Sequence, residues 1–133
     1  MSIVVGYLAT PEGRAALEAA ATEAEVRSTR VVVVTSSQGI ERGEFGPVDE
    51  VTALNAVRQL LDERGIAHEI RLVARSRDVA DDLIAAAEET DGSLIVIGLR
   101  RRSPVGKLIL GANAQRILLD SPCPVLSVKP TRE

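Results

Sequence analysis

Five short runs of mainly aliphatic residues recur along this chain, and helix-forming segments separate them. The runs are SIVVGYL, RVVVVTSS, AHEIRLVA, SLIVIGL and CPVLSVK. The first, second and fourth are apolar through most of their length, which is typical of strands buried on both faces of a parallel sheet. The third alternates apolar and polar residues, which indicates an edge strand. The pattern therefore predicts an α/β fold with a single five-stranded parallel sheet and helices on both faces.

Local signals locate the ends of the predicted helices. Thr10 can cap a helix with its hydroxyl, and Pro11 suits the first helical position. Gly65 suits the end of the second helix. The last helix, NAQRILLDS, is short, and we expect it to turn Ile117 and Leu118 toward the core.

Length and composition limit what kind of protein this is. The 133 residues suit one domain, so we expect residues 1–133 to form a single one. The N-terminal stretch lacks a signal-peptide pattern, and no apolar run approaches the roughly 20 residues that span a bilayer. Cys123 is the only cysteine, which leaves no disulfide framework. We therefore expect a cytoplasmic protein without membrane contact. The scarcity of aromatic residues also argues against a nucleic-acid partner.

Positive charge is concentrated in the stretch VIGLRRRSPVGKLILGANAQ. The net charge of the chain is −3, yet residues 92–119 contain no acid. The five cations in that range are Arg100, Arg101, Arg102, Lys107 and Arg116. Because the stretch follows a predicted strand and precedes a helix, it lies where parallel sheets bind ligands. It is either an anion-binding loop or a solvated basic loop flanked by ordinary turn glycines.

Common phosphate-binding and catalytic motifs are absent. Reading back from Lys107, Arg101 stands where the Walker motif needs its first glycine, and Leu108 stands where it needs Ser or Thr. No strand is followed by G-x-G-x-x-G, and neither H-E-x-x-H nor G-x-S-x-G occurs. His68 is the only histidine, and we expect it to be a solvated surface residue of the edge strand. We predict no catalytic residue and no metal site, and at most very weak ATPase activity.

Two stretches and one glycine spacing carry a family resemblance. They are IVVGYLATPEGRAALEAA at the start, SPCPVLSVKP near the end, and the step from Gly98 to Gly111 before a helix. Together they resemble the universal stress protein family over nearly the whole chain. The resemblance implies strand order 3-2-1-4-5, a Rossmann-like fold of the adenine nucleotide alpha hydrolase-like kind, and a homodimer. In many members it also implies bound ATP without strong catalytic activity.

The family's nucleotide motif is Gly, two residues, Gly, nine residues, Gly, then Ser or Thr. Gly98 and Gly111 match its first and third glycines. Arg101 stands at the second glycine, and Ala112 stands at the hydroxyl position. The departure at position 112 removes one phosphate hydrogen bond, whereas the basic side chains of the loop can replace some backbone contacts.

The start of the chain departs from the family as well. Leu8 stands where the family usually has an aspartate that meets the nucleoside, and Thr10 keeps a hydroxyl two positions later. The resemblance implies a site for ATP, AMP or a related phosphate ligand, with a divalent metal only if the nucleotide brings one. The implied residues are Leu8, Thr10, Ser36, Ile97, Gly98, Arg100, Arg101, Lys107, Gly111, Ala112 and Asn113.

The last predicted strand, residues 123–129, lies at a sheet edge in the family's order. A bare apolar edge favours pairing with a second copy. We therefore predict a homodimer in which Val125, Leu126 and Val128 cross the two-fold axis, and we expect Leu126→Pro to break that pairing.

Three functions remain open on the sequence. The first is a dimeric stress-response regulator or sensor that binds an adenine nucleotide. The second is a dimeric interaction module of the same fold without a nucleotide, which Leu8 and Ala112 favour. A phosphotransferase or ATPase is the weakest, because neither a metal-binding carboxylate nor a histidine base lies on the predicted loop.

Overall fold

Strands and helices alternate in the computed structural model, which describes residues 1–8, 10–36, 50–73, 79–99 and 112–130. At Glu50, Ala112 and Asn113 only the backbone is described. The strands are β1 (Ser2–Gly6), β2 (Arg30–Ser36), β3 (His68–Val73), β4 (Gly92–Gly98) and β5 (Val125–Val128). The helices are α1 (Pro11–Arg27), α2 (Glu50–Glu63), α3 (Val79–Glu89) and α4 (Ala112–Asp120).

The five strands form one parallel sheet in the order β3-β2-β1-β4-β5. This confirms the predicted fold and strand order. The direction in which successive strands are added to the sheet reverses between β1 and β4. β2 and β3 lie on one side of β1, whereas β4 and β5 lie on its other side. That junction is where open α/β sheets form their ligand clefts.

The sheet separates two apolar cores. β1, β2 and β4 send alternate side chains to opposite faces, as their continuous apolar runs predicted. The first core lies under α1 and α2 and contains, among others, Ile3, Val33, Leu17, Ala20 and Leu61. The second core lies under α3 and α4 and contains, among others, Val4, Val32, Leu83, Ile95 and Ile117.

The predicted helix boundaries of α1 and α2 are confirmed. Thr10 caps α1, and its hydroxyl oxygen accepts a hydrogen bond from the Gly13 amide at 3.1 Å. Pro11 occupies the first turn. Gly65 follows α2 with a φ of 67°, a left-handed conformation that glycine adopts without strain.

Two side chains lie in surroundings that differ from those expected. Leu118 was expected to face the core, but it is 43% exposed, whereas Ile117 is buried. Successive helical residues are about 100° apart, and α4 presents only a narrow stripe to the second core. The expectation that His68 is solvated is also wrong, because its side chain is only 13% exposed and lies near Asp62 of α2.

The register of β5 corrects one further expectation. The Ile95 amide donates to the Pro124 carbonyl at 3.0 Å, and the Leu99 amide donates to the Val128 carbonyl at 2.8 Å. In a parallel ladder, the backbone N–H and C=O groups of every second residue point toward a given neighbouring strand, and those of the residues between point away from it. Leu126 therefore directs its N–H toward β4, and Ser127 directs its N–H toward the outer edge. A proline at position 126 would break the sheet itself before any contact between two copies.

Within the described ranges, no helix has the length and apolar character needed to cross a membrane.

Candidate functional site

A cleft opens at the carboxyl end of the sheet, beside the reversal between β1 and β4. Its volume is about 210 Å³. The ends of β1, β2 and β4 line it with residues 6–8, 34–36 and 97–98. The first turn of α1 lines one side, and α3 and α4 line the other. The cleft therefore has the position and size for part of a small-molecule ligand.

Hydrogen bonds fix the floor of the cleft just beyond the last residue of β1. The Tyr7 amide donates to the Val34 carbonyl at 3.0 Å, and the Thr35 hydroxyl donates to the Tyr7 carbonyl at 2.8 Å. Thr35 is buried. Burial raises the pKa of the Tyr7 phenol, and the nearby positive charge of Arg14 opposes the shift. The phenol is therefore neutral at physiological pH. The two hydrogen bonds hold residue 7, just after β1, against β2.

Two glycines let three backbones meet at this floor. A side chain at Gly13 would overlap the Leu8 carbonyl, and a side chain at Gly98 would overlap the Glu12 carbonyl. Gly98 therefore has a packing role, because α1 rests directly on the end of β4 there. The sequence indicated only an anion-binding or strand-end role for Gly98, because a close approach between distant segments has no local signal.

The walls of the cleft are mainly apolar. Val73 at the end of β3, Leu83 of α3 and Ile117 of α4 line it, and Leu8 lies at its rim with 41% of its surface exposed. The carboxylate-bearing Glu12 also lines it, from the first turn of α1. Such a lining suits a flat, largely apolar ring with polar groups at one end.

The sequence profile of the universal stress protein family matches residues 1–129. The chain belongs to the universal stress protein family. It is 43% identical over 130 residues to a universal stress protein of Mycolicibacterium smegmatis, which covers 96% of this chain and 97% of that protein.

Solved structures of family members share the fold. A universal stress protein from Archaeoglobus fulgidus has 32% identity and a TM-score of 0.75, with 97% of this chain and 98% of that chain covered. A structure of the universal stress protein from Archaeoglobus fulgidus in complex with dAMP has 27% identity and a TM-score of 0.69, with the same coverage.

Four of the residues implied by the universal stress family resemblance lie together at the cleft. Leu8, Ser36, Ile97 and Gly98 all line it. Thr10 lies at the same end of the sheet but is not among the lining residues. Its hydroxyl caps α1. At the position just after β1 where the family usually has an aspartate, this chain therefore presents the apolar Leu8 to the cleft.

The basic part of the universal stress motif cannot be located in the same way. Arg100, Arg101, Lys107 and Gly111 lie outside the described residues. Ala112 and Asn113 begin α4. Further along this helix, Ala114 and Ile117 line the cleft. The amino end of α4, whose first backbone N–H groups have no acceptor within the helix, is thus near the cleft.

Several lining residues had no role in the sequence-based prediction. Val73, Val79 and Leu83 read only as ordinary core residues, and nothing local distinguishes them. Glu12 had a detectable signal, because the cap and proline before it fix the start of α1 at the end of β1. Among the described residues, no group of three or more His, Cys, Asp or Glu could hold a metal ion.

Proposed function

We propose that this chain binds an adenine nucleotide, or a related phosphate ligand, in the cleft and acts as a stress-response regulator. The observation that carries the proposal is the cleft itself, at the carboxyl ends of β1, β2 and β4 and near the amino end of α4. The dAMP complex of the Archaeoglobus fulgidus relative supports an adenine nucleotide as the ligand class.

The proposed pose divides the cleft into three parts. The base occupies the apolar slot beside Ser36 and Ile97. The ribose lies near Leu8, on the side of Thr10. The phosphates extend from Gly98 to the amino end of α4, where N–H groups without an acceptor inside the helix and the helix dipole favour an anion. In this proposal Arg100, Arg101, Lys107, Gly111 and the backbone of Ala112 and Asn113 complete the phosphate site.

Titration calorimetry with ATP, ADP, AMP and adenosine tests the proposal. We expect ATP to bind and its affinity to fall as salt is raised from 0.05 to about 0.5 M, because screening weakens contacts between exposed charges. Arg101→Ala is expected to weaken ATP roughly tenfold and adenosine much less. Arg58→Ala, an exposed position of α2, is the matched control and should change neither. Failure of millimolar ATP, ADP and AMP to bind would overturn the proposal.

A second candidate is a dimeric interaction module without a nucleotide. Leu8 favours it, because an exposed leucine lines the cleft where a nucleoside would need a polar partner. The double variant Leu8→Asp with Ala112→Ser restores the family's usual residues and separates the two candidates. If wild-type protein does not bind ATP and the double variant does, the fold retains a site whose ligand this protein has lost. If both bind, the variant should bind more tightly.

We further propose that the protein is a cytoplasmic homodimer joined through β5, with no catalytic turnover at a metabolic rate. Support comes from the position of β5 at the end of the sheet and from Leu126, which is 36% exposed there. Val125 and Val128 contribute the rest of the proposed interface from the same strand.

A further inference from the structure

The ribose side of the proposed pose lacks the carboxylate that a nucleoside meets in many family members. Leu8 lines the cleft with an exposed aliphatic side chain, which can neither donate nor accept a hydrogen bond. The nearby hydroxyl of Thr10 already accepts from the Gly13 amide at 3.1 Å, and the Thr35 hydroxyl donates to the Tyr7 carbonyl. Neither hydroxyl carries a negative charge, so a charged acceptor for the sugar has to come from another residue of the cleft.

Glu12 is the one acidic residue among the described residues that line the cleft. Its backbone is fixed twice, by the capped first turn of α1 and by the direct approach of Gly98 to its carbonyl. The next residue, Gly13, lies against the Leu8 carbonyl. The backbone of Glu12 therefore lies at the same rim of the cleft as Leu8. The amino end of α1 favours the negative charge of the Glu12 side chain.

From this arrangement we infer that Glu12 is a specificity-determining residue that accepts hydrogen bonds from the ribose hydroxyls. It does so in place of the carboxylate missing at position 8. The inference rests on the proposed nucleotide-binding function. A carboxylate accepts two neighbouring hydroxyls well, because both of its oxygens are acceptors and both bonds are charge-assisted. The cleft should therefore discriminate between a ribonucleotide and a nucleotide without sugar hydroxyls.

The test compares the dissociation constants of AMP and 2′,3′-dideoxy-AMP, measured by calorimetry. Wild-type protein should bind AMP roughly tenfold more tightly, as expected for hydrogen bonds to a charged acceptor. Glu12→Gln should reduce this ratio to about twofold or less. Removal of the Glu12 charge also reduces repulsion of the phosphate, but that effect is equal for the two ligands and cancels in the ratio.

Two further variants complete the experiment. Glu18→Gln removes an exposed acid of α1 that does not line the cleft, and it should leave the ratio at its wild-type value. Leu8→Asp in the Glu12→Gln background should restore the ratio, because it returns a carboxylate to the same rim. Circular dichroism of each variant checks that α1 remains folded.

The possible results separate the inference from the proposed function. If wild-type protein binds neither ligand, the proposed function is wrong and the inference falls with it. If both ligands bind and Glu12→Gln leaves the ratio unchanged, the nucleotide site stands and the role of Glu12 is wrong. A ratio close to one in wild-type protein would overturn the inference in the same way.

Discussion

β3 and β5 both end the sheet, but their side chains differ in charge. On β3, Arg71 is paired through Nε with Glu69 at 2.5 Å and through Nη1 with Glu89 of α3 at 2.8 Å. Arg30 of β2 adds a second partner for Glu69 at 3.4 Å. These four residues form an ion-pair network across one edge of the sheet. Charged side chains on an edge strand oppose pairing with a second strand.

β5 has no such network among the described residues. It is four residues long, and Val125 and Val128 pack against opposite cores while Leu126 is partly exposed. α4, which leads into it, exposes Leu118 by 43% and Leu119 by 83%. Among the described residues, one edge of the sheet therefore carries charges that oppose strand pairing and the other does not. This is the physical basis for proposing a dimer through β5.

The largest expected effect comes from Leu126→Pro. The Leu126 N–H faces β4, so its loss leaves the carbonyl of buried Ile95 without its ladder donor. An unsatisfied buried group costs about 1–3 kcal/mol, before any clash of the proline ring. We expect a clear fall in the free energy of unfolding, measured by urea denaturation. Unchanged stability would show that β5 does not hold the ladder described here.

Ser127→Pro should act on the open edge alone. The Ser127 N–H points away from β4, so a proline there spares the sheet and removes only a donor available to a second copy. We expect the dissociation constant of the proposed dimer to rise on the order of a hundredfold, since both copies lose a hydrogen bond. Sedimentation velocity over a range of concentrations measures this constant.

The matched control for Ser127→Pro lies on the protected edge. The Val31 amide donates to the Ala67 carbonyl at 3.0 Å, so by alternation Leu72 directs its N–H outward from β3. Leu72 is 45% exposed, which limits the packing cost of a change there. Leu72→Pro should leave the dimer intact. Dissociation with this variant, but not with Ser127→Pro, would assign the interface to β3 instead.

Removal of the charges from β3 should open the protected edge. In the double variant Glu69→Thr with Arg71→Thr, we expect assemblies larger than the dimer, detected by light scattering at about 100 μM. Threonine favours strands and remains polar, so added association would come from strand pairing. The same pair of changes at Glu23 and Arg27, which form an ion pair on the surface of α1, is the control. A β3 variant that stays dimeric would contradict the protective role.

The smallest expected effect is a change in the pH dependence of stability. Hydrogen bonding to Arg71 lowers the pKa of Glu69 below its ordinary value of 4.5, an effect that burial only partly opposes. Because the folded-state pKa is the lower one, the stabilisation is complete above about pH 4.5 and is lost as the pH falls through the folded value. The Glu69 side chain is 41% exposed, so we expect only a few tenths of a kcal/mol.

Unfolding free energies at pH 7 and pH 3.5 measure that effect. The loss of stability between the two pH values should be slightly smaller in Glu69→Gln than in wild-type protein. Glu18→Gln, an exposed acid of α1, should behave as wild-type. An identical loss in wild-type protein and Glu69→Gln would show that the network contributes nothing to stability.

Much of the fold was predictable because each strand buried on two faces needs a continuous apolar run. The runs around Val4, Val32 and Ile95 met that requirement, and the family resemblance supplied the strand order. His68 was predicted wrongly because the sequence does not show which helix covers an edge strand. Its Nδ1 lies 3.1 Å from the Ile66 carbonyl oxygen and 3.8 Å from an oxygen of Asp62.

The site was predictable only in part. The strand-end residues Leu8, Ser36 and Gly98 could be assigned because carboxyl ends of parallel strands converge. The contacts of Gly13 and the position of Leu83 in the cleft lining could not be predicted, because both depend on how distant segments pack. The predicted roles of the basic positions between residues 100 and 111 remain predictions.

Three backbones meet at Gly13 and Gly98 with no side chain between them. Main-chain contacts of this kind leave little room for adjustment, so we expect the floor of the cleft to keep its shape when a ligand binds. None of the binding free energy then goes into ordering the floor, and affinity depends on the rim. Substitutions at rim positions such as Leu8 and Glu12 can therefore exchange one ligand preference for another on a constant scaffold.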